Sequence, residues 1–203
     1  TGDSYANGAT VKNLSAEPNA TVTLYARWTA NTYAVAFNGN TNTSGSMANQ
    51  SFTYDVAQAL TENGYTKTGY TFTGWAESAD GAKAYDDKEE VSNLIAVANA
   101  TVTLYAVWEA NTYYVAFNGN GNDAGNAAMA NQEFTYDVTQ ALSENTYTKV
   151  GHTFLGWAET ADGAKVYDDK EEVSNLSAEP NATVTLYAVW AANYYALAVN
   201  TNG

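Results

Sequence analysis

The sequence has 203 residues, a formal net charge of −14 and no cysteine. The negative charge makes nucleic acid an unfavourable partner, because its phosphates would repel an acidic chain. The absence of cysteine excludes disulfides and thiolate metal sites. Hydrophobic residues make up 45% of the chain and aromatic residues 13%, so we expect folded cores rather than disorder. No apolar run is long enough to span a bilayer, so we expect no direct membrane insertion.

The first predicted element is the octamer TVTLYARW at residues 21–28, which returns as TVTLYAVW at residues 101–108 and 183–190. Copies spaced by about 80 residues indicate a tandem repeat. Apolar residues at every second position predict a strand with one face in a core. We expect the tryptophan that closes each copy to anchor a core or a junction between modules. These residues are Trp28, Trp108 and Trp190.

The repeat divides the chain into four parts. Residues 1–28 resemble the C-terminal part of a preceding repeat, residues 29–108 and 109–190 form two full modules, and residues 191–203 copy the first strand of a following repeat. The incomplete ends suggest a fragment of a longer array. Residues 51–100 and 133–182 agree at 38 of 50 positions, so we expect the two modules to fold alike.

The beginning of each full module predicts a hairpin and a short helix. In the first module, residues 32–37 alternate as a strand that ends at an Asn-Gly turn, and residues 50–54 predict the partner strand. Asp55 followed by Gln58 has the form of a capping box. Val56, Ala59 and Leu60 would share one face of the helix that follows it.

GYTFTGW, residues 69–75, predicts a third strand in which Tyr70 and Phe72 face one way and Trp75 the other. The octamer then closes the module. Only residues 109–112 separate Trp108 from the next predicted strand, and none of them is Gly, Pro or Ser. So short a connection cannot act as a flexible tether, and we predict a fairly stiff string of modules.

Four motifs recur in a fixed order: YxVxFNGN, FTYD, GYTFTGW and TVTLYAVW. Together they resemble the Listeria–Bacteroides repeat, also called the B-repeat of internalin B. The resemblance covers essentially the whole chain. It implies an α+β fold of tandem small β-grasp (ubiquitin-like) modules, each a mixed sheet with one short helix, arranged as an extended rod. It also implies an extracellular place on the bacterial cell surface or cell wall, with a stalk or adhesive role. The second module departs from the pattern as GHTFLGW, which places His152 where the first has Tyr70.

The residues contain no catalytic signature, and the resemblance brings no catalytic residues with it. The acidic runs at residues 85–90 and 167–172 could offer oxygen ligands to calcium, but their spacing does not match an EF-hand. We interpret them as charged loops that keep the modules soluble. His152, the only histidine, has no nucleophile or second metal ligand in a recognisable motif. We therefore expect no enzyme activity, no cofactor and no catalytic, cofactor-binding or metal-binding residue.

The interpretation we favour is a non-catalytic repeat array that acts as a spacer or stalk in a bacterial surface protein. Its partners would be the neighbouring repeat modules of the parent protein, and the chain would be a monomer. The alternative is an adhesin module that binds a host protein or glycan through exposed tyrosines or the loop at residues 118–132. A further hypothesis is strand addition, in which the tail strand docks on the incomplete module of another chain.

Overall fold

A computed structural model describes residues 3–123 and 128–199 and shows one four-stranded sheet in each full repeat. The strands of the first repeat are β1 (Thr32–Asn38), β2 (Gln50–Thr53), β3 (Gln58–Ala59), β4 (Tyr70–Ala76), β5 (Glu90–Val91) and β6 (Thr101–Ala110). Those of the second are β7 (Thr112–Asn118), β8 (Gln132–Thr135), β9 (Gln140–Ala141), β10 (His152–Ala158), β11 (Glu172–Val173) and β12 (Thr183–Ala192).

The main sheet of the first repeat has the strand order β2-β1-β6-β4, and that of the second has the equivalent order β8-β7-β12-β10. The first and last long strands of each repeat run parallel to each other at the centre, and the two outer strands are antiparallel to them. The predicted hairpin of β1 and β2 is confirmed, with Tyr33 opposite Phe52. The short strands form separate two-stranded pairs, β3 with β5 and β9 with β11.

The octamer forms a strand only where it has a neighbouring strand on each side. In β6, which lies between β1 and β4, Leu104 is buried. The first copy, residues 21–28, forms no strand, and its Leu24 and Trp28 are 61% and 91% exposed. The prediction of a strand is therefore wrong for this copy. Residues 3–20 contain no counterpart of β1 or β4, so the backbone of residues 21–28 has no neighbouring strand to bond.

The expectation of an α+β fold is wrong, because the described part of the chain is all-β and contains no helix. It therefore contains no helix long and apolar enough to cross a membrane. The expectation of a β-grasp module with one short helix is therefore also wrong. The predicted helix after Tyr54 is instead a turn followed by β3.

Local hydrogen bonds explain why no helix forms after Tyr54. Asp55 has a φ of 63°, a left-handed conformation that a helix N-cap does not adopt, and its N–H donates to Asn93 Oδ1. Gln50 bonds the backbone of Ala59 and Thr61, so these residues are held in extended form. These contacts between distant residues outweigh the weak helical pattern of six residues.

A β-bulge changes the side-chain alternation that the sequence predicts for β4. The register with β6 shifts between Phe72 and Gly74, and Gly74 has a φ of 148°. The extra residue brings Phe72 and Trp75 to the same face, with ring centroids 5.0 Å apart. The prediction that these two residues face opposite ways is therefore wrong.

Each core is built around one fully buried tryptophan that follows the bulge. Trp75 has 0% exposure and contacts the rings of Phe37, Tyr65 and Phe72. Trp157 repeats these contacts in the second core. Neither indole N–H has a hydrogen-bond partner in the described structure, so burial and ring packing must offset that cost.

The predicted strand of the tail does not form in the part that is described. Residues 193–199 are irregular, and Tyr194 and Leu197 are 98% and 89% exposed. Residues 1–2, 124–127 and 200–203 lie outside the described residues. They include part of the loop at residues 118–132 and the end of the predicted tail strand.

The three octamers, which differ only at Arg27 of the first copy, provide a test within one molecule. We expect the backbone amides of residues 101–108 and 183–190 to be protected from hydrogen exchange, because both neighbouring strands bond them. Residues 21–28 should exchange close to the rate of an unfolded peptide. Hydrogen exchange with mass spectrometry measures all three segments in one sample. Equal protection of the three copies would contradict the requirement for both neighbouring strands.

Candidate functional site

The feature that distinguishes this chain from two separate modules is the joint between them. Strand β6 ends at Ala110 and β7 begins at Thr112, so Asn111 alone separates the two strands. Asn111 is 7% exposed and is the one buried polar residue among residues 3–123 and 128–199. A buried amide is stable only when its polar groups are bonded.

Asn111 divides its hydrogen bonds between the two modules. Toward the first, its backbone N–H donates to Gly69 O at 2.8 Å, and its Oδ1 accepts from the Thr71 hydroxyl at 2.6 Å. Toward the second, its backbone carbonyl accepts from Tyr136 N–H at 2.9 Å, and its Nδ2 donates to Ala178 O at 2.7 Å. One residue thus holds both modules, and any rotation between them would break a buried bond.

The corresponding residues at the two ends make only half of these bonds. Asn31 bonds forward, with Nδ2 donating to Ala96 O and its carbonyl accepting from Tyr54 N–H. Asn193 bonds backward, to Gly151 O and to the Thr153 hydroxyl. Both residues are exposed. The full set of four bonds, and the burial that accompanies it, occurs where two modules meet.

Two tyrosines and an aspartate form the rest of the joint. The rings of Tyr70 and Tyr136 meet edge to face with centroids 5.9 Å apart. The Tyr70 hydroxyl donates to Asp137 Oδ2 at 2.9 Å. This hydrogen bond, followed by burial and the negative charge of Asp137, raises the pKa of Tyr70. Asp137 also accepts from Asn175 Nδ2, so the contact reaches into the second module.

Gly69 lets the two modules approach closely. It has a φ of +76°, and a Cβ built on it would lie 2.2 Å from the ring of Tyr136. Gly151, its counterpart in the second module, has a φ of +71° and nothing within 4 Å of a built Cβ. Both glycines therefore satisfy the same backbone requirement, but only Gly69 also makes room for a neighbouring module.

The acidic runs are tied into local structure. In the first run, Asp86 pairs with Lys83 at 2.6 Å and Asp87 accepts from Asn63 N–H. Lys88 pairs with Glu62 at 2.9 Å, and Glu89 accepts from Asp86 N–H. The second run repeats these contacts. Across residues 3–123 and 128–199, no group of three or more His, Asp or Glu side chains could hold a metal ion.

The remaining candidate, His152, lies at the start of β10, where its Nδ1 is 3.0 Å from Val150 O. It occupies the place of Tyr70 on the side of the second module away from the first, and it contacts neither acidic run nor a nucleophile in the described structure.

Burial, followed by the hydrogen bond to Glu77, raises the pKa of Tyr85 to about 12. Burial and the hydrogen bond to Glu159 raise the pKa of Tyr167 in the same way. These tyrosines are locked into the module as donors.

The sequence drew attention to the short connection but not to the residue that makes the joint. In the sequence, Asn111 is one of four connecting residues, and Gly69 only begins a predicted strand. A signal was present, because Asn precedes the predicted opening strand at all three positions: Asn31, Asn111 and Asn193. Repetition of a polar residue at a junction is a pattern that could have identified it.

The fold and the joint define a class of protein: a tandem-repeat chain of all-β modules that are fixed to one another. Residues 33–107 and 113–189 each match the family model of the Listeria-Bacteroides repeat domain. The two matches cover most of the chain, so the chain belongs to the Listeria–Bacteroides repeat family.

Two curated relatives come from Evansella cellulosilytica. One, named "Putative Gly-rich membrane protein", is 33% identical over 149 residues, which is 73% of this chain and 17% of the relative. The other, named "Putative membrane protein", is 31% identical over 173 residues, or 84% of this chain and 24% of the relative. The chain thus spans less than a quarter of the length of each.

Replacing Asn111 by Ala should loosen the joint. The substitution N111A leaves the Thr71 hydroxyl and the Ala178 carbonyl without their partner, at a cost of about 1–3 kcal/mol in the free energy of unfolding. The control N193A removes an exposed counterpart and should cost less than about 0.5 kcal/mol. Urea unfolding of both variants checks this. Equal effects would contradict the role of Asn111 as the link between modules.

The two glycines give a matched pair for the close approach. G69A and G151A impose the same backbone strain, because both positions have positive φ. Only G69A should also displace Tyr136. We expect G69A, and not G151A, to change the distance between dyes attached at A82C and A164C, two exposed equivalent positions in a chain that has no native cysteine. An unchanged distance in G69A would argue against the packed joint.

The joint should also weaken at alkaline pH. Because the pKa of Tyr70 is raised in the folded chain, its contribution to stability is fully present below the ordinary tyrosine value of about 10 and is lost as pH rises through the raised value. Ionised Tyr70 can no longer donate to Asp137 and repels it. The same dye pair should report a change as the pH rises above the ordinary tyrosine value of about 10. Y70F should remove that change, and a change that persists in Y70F would have another origin.

Proposed function

We propose that this chain is a non-catalytic spacer, a segment of a stalk that holds another part of its parent protein away from the bacterial surface. The observation that carries the proposal is the joint. Asn111 is the only residue between the two strands, and it makes two hydrogen bonds to each module. A stalk must resist bending, and a buried, fully bonded connection provides that resistance where a Gly-rich linker would not.

The charge distribution fits the same role. The chain carries 22 acidic and 8 basic residues, so neighbouring stalks would repel each other and remain separate. The ion pairs of the acidic runs lie on the surface, with side chains 42–71% exposed, and add little to stability. Solubility is the contribution we assign to these residues.

The relatives support a place at the cell envelope. Both are named as membrane proteins and are several times longer than the matched segment. A repeat segment within such a long chain is suited to extend it from the envelope. On this proposal the neighbouring repeat modules are the main partners and the chain is a monomer outside the cell.

An adhesin that uses exposed tyrosines is the weaker alternative. Three tyrosines of the first module use their hydroxyls within the structure: Tyr65 donates to Phe37 O, Tyr85 to Glu77 and Tyr70 to Asp137. The strongly exposed tyrosines all lie outside the two sheets, at Tyr5, Tyr25, Tyr194 and Tyr195. The loop at residues 118–132 lies partly outside the described residues and does not favour either role.

Small-angle X-ray scattering combined with light scattering tests the spacer. A compact chain of this length has a radius of gyration of about 17 Å. We expect a monomer with a clearly larger value that is independent of concentration and of added calcium. A compact particle, a calcium-dependent shape or self-association would overturn the proposal. Self-association would also favour strand addition by the ends.

A further inference from the structure

Each module contains the same cleft, of about 220 Å³, on the surface between four chain segments. The segments are the loop after the first strand, the stretch just before the bulged strand, the loop after the bulged strand and the end of the octamer strand. The first cleft is lined mainly by Asn40, Thr41, Lys67, Asp80, Gly81 and Trp108. The second has Asn120, Lys149, Asp162, Gly163 and Trp190 in the equivalent places. The stalk role does not require this cleft.

The walls of the cleft are fixed before any ligand arrives. Asn40 Nδ2 donates to Ala79 O and to Ala106 O, both at 2.9 Å, and so ties the two opposite walls together. The Trp108 indole N–H donates to Gly39 O at 2.9 Å, and the ring packs edge to face on Phe72. The second cleft makes equivalent hydrogen bonds and ring contacts. A preformed cleft loses little entropy on binding.

Thr41 adds evidence that the first cleft has a use beyond folding. It adopts a φ of 68°, which is costly for a β-branched residue, whereas the second module has Gly121 at φ 79° in the equivalent place. The strained residue places its hydroxyl in the cleft lining, where it accepts a hydrogen bond from Lys67 Nζ at 2.9 Å. Glycine would adopt this φ with less strain, so the Thr41 side chain gives the first cleft a hydroxyl at the cost of that strain.

The lining selects the chemical class of ligand. It contains a half-buried indole, an amide, a hydroxyl, an ammonium and the carboxylate of Asp80, which pairs with nothing among the described residues. An apolar ligand would leave these groups without partners. An anionic ligand would meet Asp80 and a chain of net charge −14. A neutral pyranose satisfies all of them, because its C–H face can pack on the indole while its hydroxyls both donate and accept.

We propose that each module binds a neutral saccharide in this cleft, with Trp108 or Trp190 as the apolar wall and Asp80 or Asp162 as the acceptor for sugar hydroxyls. The ammonium groups of Lys67 and Lys149 donate to the same ligand. Two equivalent clefts on modules joined by Asn111 keep a fixed separation. A polysaccharide long enough to span them therefore binds more tightly than a short one. The spacer would then also hold the stalk against a glycan layer.

The test uses the whole chain titrated with chitohexaose and with mannohexaose, followed by the indole N–H signals in NMR spectra and by calorimetry. We expect one of these neutral oligosaccharides to shift the Trp108 and Trp190 signals saturably, with two sites per chain. D80A should leave one site, and D80A/D162A should lower the affinity at least tenfold. The control E90A/E172A removes the same charge from exposed residues outside the clefts and should bind as the native chain does.

A second variant separates binding from folding. Thr41→Gly should raise the melting temperature of the first module, because it relieves the strained φ, yet weaken binding at the first cleft about threefold or more. Damage to the fold would lower both. Absence of saturable shifts with either oligosaccharide, binding unchanged in D80A/D162A, or preference for an anionic heparin hexasaccharide would each overturn the proposal.

Discussion

The need to satisfy one buried amide determines how the two modules are arranged. Asn111 lies between strands that belong to different sheets, and it is 7% exposed. Its four hydrogen bonds go in equal number to each module. Separating the modules would break the two hydrogen bonds that Asn111 makes to one of them and leave those buried groups without partners. The joint is therefore part of the folded structure rather than a linker between two structures.

Complete hydrogen bonding is also required inside each module. The octamer strand is central, and its residues reach the core only when β1 and β4, or β7 and β10, bond both of its edges. The segment at residues 21–28, which differs from the other copies only at Arg27, shows what the octamer does alone: its large side chains remain exposed. Modules of about 80 residues bury only a modest fraction of their surface, so packing against a neighbour adds usefully to their stability.

The sequence was a reliable guide wherever a pattern had a single physical meaning. The repeat, the β1–β2 hairpin and the family all followed from alternation and spacing. The short helix after Tyr54 did not, because six residues with a plausible cap are consistent with either structure. The outcome depended on Asn93 and Gln50, whose side chains bond the backbone of the segment in an extended form. The bulge at Gly74 could not be predicted either, because it depends on the register with the partner strand. Alternation within one strand does not reveal that register.

The candidate site, too, was only partly predictable from the sequence. The short connection predicted a stiff joint, but the roles of Gly69 and Tyr136 arise from contacts between residues that are 67 positions apart. The clefts beside Trp108 and Trp190 likewise combine four segments that no local motif connects. The acidic runs are the most conspicuous local motif, yet their carboxylates accept hydrogen bonds from the backbone of the module, at Asn63 N–H and Asp86 N–H.

The central claim is that the two modules form one rigid body through Asn111. Nitrogen-15 relaxation of backbone amides, measured across residues 32–123 and 128–192, tests it most directly because it reports how each sheet tumbles. If the account is right, one anisotropic diffusion tensor fits both sheets, and the amide of Asn111 is as ordered as those of the core strands. Two modules that tumble independently, with shorter correlation times and a mobile Asn111, would contradict it.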